Sequence, residues 1–108
     1  MKRGMPPILA SLLLSLPVSA PAAAPDGPAL YRQHCARCHG DSGHADTWRG
    51  YLYFARNFSD PGWQAKRSDE FILRRISEGP GLMPAFADKL TAAERQALLP
   101  VVRGFSAQ

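Results

Sequence analysis

The five residues Cys35-Ala36-Arg37-Cys38-His39 form the pattern C-x-x-C-H, and this stretch decides how the rest of the sequence is interpreted. Two thiols three residues apart, at the end of a predicted helix, can each add to a vinyl group of the same haem. The histidine that follows the second cysteine is then placed to bind the haem iron. The sequence therefore predicts one covalently attached haem c, held by Cys35 and Cys38 and ligated by His39.

The N-terminus has the order of segments that is typical of a secretory signal peptide. Met1-Lys2-Arg3 is basic, residues 8–18 (ILASLLLSLPV) are apolar but too short to span a bilayer, and small residues follow. Ala20-x-Ala22 fits the cleavage pattern best. We therefore expect a cleaved signal peptide over residues 1–22, one folded domain over residues 23–108, and a location in the periplasm.

Three other kinds of site could use the same cysteines. A thioredoxin-like redox pair needs a strand before the motif and a βαβ unit around it, and the sequence predicts neither. A zinc site needs four ligands, which the two cysteines with His39 and His44 can formally supply, although the spacing matches no usual zinc module. A plain disulfide also suits an exported protein. These alternatives to haem attachment stay open.

The rest of the sequence predicts an all-α fold of about three to four short helices with long loops. We expect a first helix at about 28–35 with Asp26 as N-cap, and a short helix around 48–56 within an otherwise irregular segment 40–62. Two further helices are expected, one from Ser68 to a stop at Gly79 and one after the capping box formed by Thr91 and Glu94. Pro100 lies inside the last pattern, so we expect it to kink that helix near Gln96 or to divide it.

Met83 is the candidate for the second axial ligand of the iron. Met1 and Met5 leave with the predicted signal peptide, so Met83 is the methionine that remains, and it lies in the stiff stretch 79–84 (GPGLMP). A thioether suits haem iron and raises its potential relative to a second nitrogen ligand. The alternatives are Met83 as an ordinary core residue, His34, which we expect at the surface, and His44.

The motif near the start of the predicted mature chain, the distal Met83-Pro84 and the closing helix together resemble the class I monohaem c-type cytochromes of bacterial electron transport. The resemblance covers nearly all of residues 23–108. It implies the small class I cytochrome c fold, wrapped around one haem. It also implies that the first and last helices cross, with Gly27 and Tyr31 against a face that contains Val101, Val102 and Phe105.

Axial ligation by both His39 and Met83 leaves no open position for a substrate at the iron, which predicts a single-electron carrier and not an enzyme. We expect redox proteins of the periplasm or the membrane as partners, the chain being a monomeric shuttle or a small subunit of a larger oxidoreductase, with no small-molecule substrate. The alternative is a haem-based sensor in which a small gas displaces Met83.

The haem itself places demands on the surrounding residues. Its propionates need hydrogen-bond donors, for which the candidates are Arg56 and Trp63, with Arg49, Tyr51, Tyr53 and Lys66 as further possibilities. Its apolar body enlarges the core of a small chain, so we expect apolar residues to pack around it and the haem-free chain to be largely unfolded. The expected packing residues are Leu30, Phe54, Phe58, Ile72, Ile76, Leu82, Phe86 and Leu98.

The basic composition has a simpler explanation than nucleic-acid binding. The 108 residues carry a formal net charge of +4, with a pI near 9.5. Loss of Lys2 and Arg3 with the signal peptide lowers the charge to +2, and two haem propionates remove about two more. The mature protein is then close to neutral, and we expect no nucleic-acid partner.

Overall fold

The structure is a computed structural model that describes residues 2–18 and 23–107, and the regular elements in these ranges are all helical. Residues 2–18 form no helix or strand, and their side chains are exposed. The expected cleavage site Ala20-x-Ala22 lies outside the described residues. Across the two described ranges, no helix is long and apolar enough to cross a membrane.

Six α-helices and a closing 3-10 turn make up the folded part. They are α1 (Gly27–His34), α2 (Ala36–His39), α3 (Trp48–Tyr53), α4 (Pro61–Lys66), α5 (Asp69–Glu78), α6 (Ala92–Gly104) and the turn Phe105–Ala107. The all-α class is confirmed. The expected number of three to four helices was too low, because the short helices α2 and α4 were not predicted.

Side-chain caps start the three helices that the sequence predicts most clearly. The carboxylate of Asp26 accepts a hydrogen bond from the backbone N–H of Ala29 at 3.0 Å and begins α1. Ser68 caps α5 in the same way. Thr91 and Glu94 form the complete capping box of α6, with reciprocal bonds of 2.9 and 3.1 Å. These interactions satisfy N–H groups that have no partner within the helix.

The short helices α3 and α4 are also capped. Thr47 begins α3 by accepting from the N–H of Gly50 at 2.8 Å. Asp60 begins α4 by accepting from Gly62, and Pro61 occupies the first turn, where a missing N–H costs nothing. The pair Asp60-Pro61 is therefore a helix-start signal that sequence reasoning missed, because the segment was interpreted as a loop.

Helix α6 continues through Pro100 as one helix, so of the two expected outcomes the division into two pieces is wrong, and a kink near Gln96 stays a prediction. Proline has no N–H to donate to the carbonyl of Gln96, which leaves that carbonyl without its usual helical partner. Because Gln96 and Pro100 are both exposed, water can reach this side of the helix. The capping box at the start of α6 and the packing of its inner face on α1 hold the helix together.

The hydrophobic core lies where α1 and α5 pack on α6. Gly27 of α1 lies against Ala97 and Val101 of α6, and the ring of Tyr31 lies 5.0 Å from that of Phe105. The helix crossing implied by the resemblance is thus present. The buried cluster comprises Tyr31, Ala36, Phe58, Ile72, Ile76, Phe86, Leu90, Leu98, Val102 and Phe105.

Two of the apolar residues expected around the haem are outside this core. Phe54 is 91% exposed and Leu82 is 65% exposed, whereas Leu30 is partly buried against the core and the other five are buried. The protein chain alone therefore gives Phe54 and Leu82 no packing partners that would bury them.

Candidate haem-binding site

The C-x-x-C-H motif forms helix α2 at the end of α1. Cys35 ends α1, where its N–H donates to the carbonyl of Tyr31 at 2.8 Å. Its own carbonyl accepts from the N–H groups of Cys38 at 3.2 Å and His39 at 3.0 Å. Residues three and four positions apart share one face of a helix, so Cys35, Cys38 and His39 are neighbours on the same face. Gly40, with a positive φ of 82°, ends α2.

The two cysteines are separate, half-buried thiols. Burial, with a further contribution from Cys38, raises the pKa of Cys35 to about 11. This thiol is therefore protonated at neutral pH. The reactive cysteine of a thioredoxin-like pair has a lowered pKa instead, because a thiolate is its nucleophile. The environment of Cys35 is thus unlike that of a dithiol redox centre.

His39 is held by a backbone carbonyl and by an aromatic ring. Its Nδ1 lies 2.9 Å from the carbonyl oxygen of Arg56, which can only accept, so the neutral ring carries its proton on Nδ1 and a free lone pair on Nε2. Burial lowers the pKa of His39, although the bond to Arg56 opposes this effect. The neutral form, which is the one that ligates a metal, is therefore favoured.

The ring of Phe58 stacks on the imidazole of His39. Its ring lies 4.2 Å from the imidazole of His39, centroid to centroid, with an angle of 18° between the planes. Trp63 packs against Phe58 in turn, at 5.3 Å. The sequence placed Phe58 in the core but gave no indication of its stacking on the histidine, because the two residues are 19 positions apart.

The two candidates for the propionates occupy different environments. The Arg56 side chain is exposed, and its contact with the site is made by its backbone carbonyl, which no side-chain pattern could have predicted. Trp63 is half-buried beside Phe58. Of the other candidates, Arg49 stacks over the ring of Trp48 at 4.4 Å. Propionate binding by any of these side chains stays a prediction.

The other two histidines lie apart from His39. His34, which was expected at the surface, is half-buried, with its ring edge against Phe86 at 5.6 Å between centroids. His44 is exposed, with Nδ1 2.7 Å from the hydroxyl of Ser42. Within the ranges that the structure describes, the formal zinc ligands do not gather into a cluster of three or more.

Helix α3 packs closely on the end of α2. The hydroxyl of Thr47 donates to the carbonyl of Cys38 at 2.9 Å, and the N–H of Ala45 donates to the carbonyl of His39 at 2.7 Å. A Cβ at Gly50 would lie 2.5 Å from the carbonyl oxygens of both Cys38 and Ala45, so only glycine permits this approach. The motif is therefore fixed on both sides, by α1 before it and by α3 after it.

Met83 lies in a loop that folds back on α5. Gly79 ends that helix with a positive φ of 64°, and a Cβ there would lie 2.6 Å from the carbonyl oxygen of Met83. The N–H of Met83 donates to the carbonyl of Pro80 at 3.1 Å. The N–H of Phe86 donates to the carbonyl of Ile76 in α5 at 3.0 Å, which brings the end of the loop back to that helix. Met83 is half-buried against the core. The loop thus holds the backbone of Met83 close to the end of α5.

These residues fit a haem in donor chemistry, and exposed apolar side chains occur in the segments that carry or contact them. Two free thiols suit thioether formation, and an imidazole nitrogen and a thioether suit haem iron. Leu52 in α3 and Phe54 at its end, on the helix that packs on α2, and Leu82, which precedes Met83 in the chain, are 57%, 91% and 65% exposed. Exposed large apolar side chains often mark a binding surface, and an apolar macrocycle is a suitable partner for them.

Comparison with known proteins gives a consistent result. Residues 22–99 match the family described as cytochrome c oxidase, cbb3-type, subunit III. The solved KustC0563 c-type cytochrome is 53% identical, with a TM-score of 0.70 over 74% of this chain and 96% of that one. A tyrosine-to-phenylalanine mutant of Kustc0563 is 51% identical, with a TM-score of 0.69 over 75% and 99% of the two chains.

A more distant likeness is to a larger chain. It belongs to the Kuenenia stuttgartiensis reducing HAO-like protein complex Kustc0457/Kustc0458 and is 29% identical, with a TM-score of 0.62 over 74% of this chain. The similar region is 41% of that chain, so the present chain spans less than half of it. None of the curated proteins compared with this chain is significantly similar to it.

A c-type cytochrome carries covalently bound haem c and transfers electrons, as the motif predicts. The family match extends over most of the folded part, and the fold agrees with that of a solved c-type cytochrome. The chain belongs to the c-type cytochrome family of the cbb3-type cytochrome c oxidase subunit III.

Proposed function

We propose that this protein is a one-electron carrier with a single haem c, attached through Cys35 and Cys38 and ligated by His39 and Met83. The observation that carries the proposal is the state of His39. Its Nδ1 is occupied by the Arg56 carbonyl and its pKa is lowered by burial, so Nε2 offers a lone pair at neutral pH.

The attachment requires only the two thiols and the vinyl groups. Each S–H adds across one C=C bond: a C–S bond forms and the proton ends on the neighbouring carbon, so no oxidant or reductant is consumed. Both thiols must be reduced for this reaction. Cys35 and Cys38 are unbonded thiols on adjacent turns, which supports the addition of both to one macrocycle.

The bound haem iron supplies the one-electron couple. The chain would contribute two ligands: His39, held by the Arg56 carbonyl and the Phe58 ring, and Met83, in the loop anchored at Gly79. Ligands that barely move on a change of charge would keep the reorganisation small. With His39 and Met83 both bound to the iron, no position would be left for a substrate, which favours a carrier over an enzyme.

We place this activity in the periplasm, with redox proteins as partners. The signal-peptide pattern of residues 1–22 supports export. The likeness to a chain of an HAO-like protein complex supports docking on a larger redox protein, either as a diffusing shuttle or as a bound subunit. Mass spectrometry of the exported protein should show a mature chain that begins at Ala23 and carries the mass of one haem.

Visible spectroscopy of the purified protein tests the ligation. The oxidised protein should show a thioether-to-iron charge-transfer band, and acid-acetone should leave the haem on the chain. Met83→Ala should abolish that band and open the iron to carbon monoxide. Leu99→Ala, a truncation at another partly buried apolar residue that packs against the core, is the matched control and should keep the band. A band that survives in Met83→Ala would show that another residue is the ligand.

Carbon monoxide distinguishes the carrier from a sensor. The reduced wild-type protein should not bind the gas if Met83 stays on the iron. Rapid binding by the wild-type protein would instead favour the haem-based sensor, in which the thioether is displaced.

A further inference from the structure

Gln64 is a buried polar residue with a complete set of partners. Its side chain is 9% exposed and its Nε2 donates to the carbonyls of Phe58 and Val102, both at 2.8 Å. Its Oε1 accepts from the guanidinium of Arg103 at 3.0 Å. Because the two carbonyls can only accept and the guanidinium can only donate, the orientation of the amide is fixed.

Arg103 extends this network to the protein surface. Besides the Gln64 amide, its guanidinium donates to the backbone carbonyl of Gln64 at 2.8 Å and to that of Arg67 at 2.6 Å. It also forms an ion pair with Asp69 at 2.9 Å, on the exposed side. Helix α4 is thereby joined to the start of α5 and the end of α6 through polar contacts.

The network ends at Phe58, whose backbone is held from both sides. Its N–H donates to the carbonyl of Gly43 at 2.7 Å, and its carbonyl receives the bond from Gln64. Phe58 lies in a turn outside any helix, so these bonds replace the helical bonds that would otherwise fix its backbone. The position of its ring therefore depends on Gln64.

The ring of Phe58 covers one face of the His39 imidazole. The bond between Nδ1 and the carbonyl of Arg56 fixes the tautomer and anchors one edge of the imidazole. Stacking of Phe58 at 4.2 Å, nearly parallel, opposes a tilt of the imidazole out of its present plane. Hydrogen bonding and stacking together thus specify both the direction and the plane of the ring.

We infer that Gln64, clamped by Arg103, is a positioning residue that sets the plane of the His39 imidazole through Phe58. The inference rests on the proposed role of His39 as an axial ligand. Partners of a ligand tune the metal, because the ligand plane decides its overlap with the iron d orbitals. Gln64 therefore contributes to the reduction potential and to the electronic anisotropy of the ferric site, although it contacts neither His39 nor the iron.

The test uses the g values of the ferric holo-protein, from electron paramagnetic resonance, together with the reduction potential. Gln64→Met keeps the length of the side chain and removes its amide, which should shift both quantities. Phe58→Leu removes the stacking ring and should shift the g values in the same direction. The double variant should give no further shift beyond Phe58→Leu, because Gln64 acts through Phe58.

Asp69→Ala is the matched control within the same network. It removes the exposed ion pair of Arg103 and leaves the bonds between Arg103 and Gln64, so the g values should not change. If Gln64→Met gives no holo-protein, Arg103→Met takes its place: it removes the donor to the Gln64 amide and should shift the g values in the same direction by a smaller amount.

A lower melting temperature with unchanged g values would overturn the inference, since a purely structural glutamine would behave in that way. Additive shifts in the double variant would also overturn it. The wild-type spectrum separates this failure from that of the proposed function. A wild-type protein without a low-spin histidine–methionine signature contradicts the ligation itself, whereas a normal wild-type signature that Gln64→Met leaves intact contradicts only the role of Gln64.

Discussion

Gly27 of α1 lies in direct contact with Ala97 of α6. A Cβ at position 27 would overlap the carbonyl oxygen of Ala97 and lie 3.2 Å from a methyl group of Val101. The absence of a side chain at Gly27 therefore allows the two helices to cross closely. Because α1 leads directly into Cys35, the same contact determines where the haem attachment motif lies relative to α6.

Gly27→Ala should destabilise the holo-protein by about 1–3 kcal/mol, since the added methyl meets backbone that cannot move without separating α1 from α6. Chemical denaturation, followed by far-ultraviolet circular dichroism, measures this change. Gly104→Ala is the control: a Cβ there meets nothing within 4 Å, and alanine is the better helix former by up to about 1 kcal/mol. Equal stability of Gly27→Ala and the wild type would contradict the close crossing.

Tyr31 gives a second test of the packing around the motif. Its hydroxyl donates a buried hydrogen bond of 2.8 Å to the carbonyl of Gly40, the residue that ends α2. Tyr31→Phe removes the hydroxyl and leaves the carbonyl of Gly40 without this hydrogen-bond donor. We expect a loss of about 1–3 kcal/mol in the free energy of unfolding at neutral pH, as is usual for a buried group that loses its partner.

The buried hydroxyl of Tyr31 should also make the free energy of unfolding depend on pH. Burial, followed by the nearby Cys35 and Asp41, raises the pKa of Tyr31 well above its ordinary value. The folded state thus favours the neutral phenol. Tyr31 therefore makes its full contribution to the free energy of unfolding below about pH 10, the pKa of tyrosine in the unfolded chain. That contribution is lost as the pH rises further. The stability difference between the wild type and Tyr31→Phe should therefore narrow above about pH 10. Parallel stability curves through this range would contradict the raised pKa.

Sequence signals within a few residues predicted much of the fold. Asp26 and the pair Thr91 and Glu94 marked helix starts correctly, because a cap contacts N–H groups only three positions away. Asp60 before Pro61 carried the same signal, but the glycines around it favoured the interpretation as a loop. The chemistry of Cys35-Ala36-Arg37-Cys38-His39 was equally local, and the family match agrees with it.

The contacts that orient His39 could not be predicted in this way. Arg56 contributes a backbone carbonyl, which every residue type possesses. Gln64 bonds to Val102, which is 38 positions away, and no local periodicity encodes such a pair. The shell around the histidine therefore depends on tertiary packing of α4 against α6, and it becomes visible only in the folded structure.

Pro100 lies inside α6 although proline has a very low helix propensity, so its replacement measures how much the packing of α6 compensates for the proline. Pro100→Ala restores the N–H that can bond to the carbonyl of Gln96 and should stabilise the protein by about 1–3 kcal/mol, since proline in a helix interior costs about 3 kcal/mol. Pro61→Ala is the matched control. Pro61 lies in the first turn of α4, where no helical bond is missing, so this variant should be no more stable than the wild type. A Pro100→Ala protein without increased thermal stability would show that α6 has adapted fully to the proline.

Removal of the haem should unfold the chain. Without the predicted signal peptide the chain has about 86 residues and buries only about 60% of its unfolded surface, which gives marginal stability without a further contribution. Phe54 and Leu82, which the chain alone leaves exposed, would then remain in water. We therefore expect the double variant Cys35→Ala/Cys38→Ala to show no cooperative thermal transition by circular dichroism. The single variant Cys35→Ala, which keeps one thioether, is the comparison and should retain haem and a cooperative but lower transition. A cooperative melt of the haem-free double variant would show instead that the core of α1, α5 and α6 is sufficient for folding.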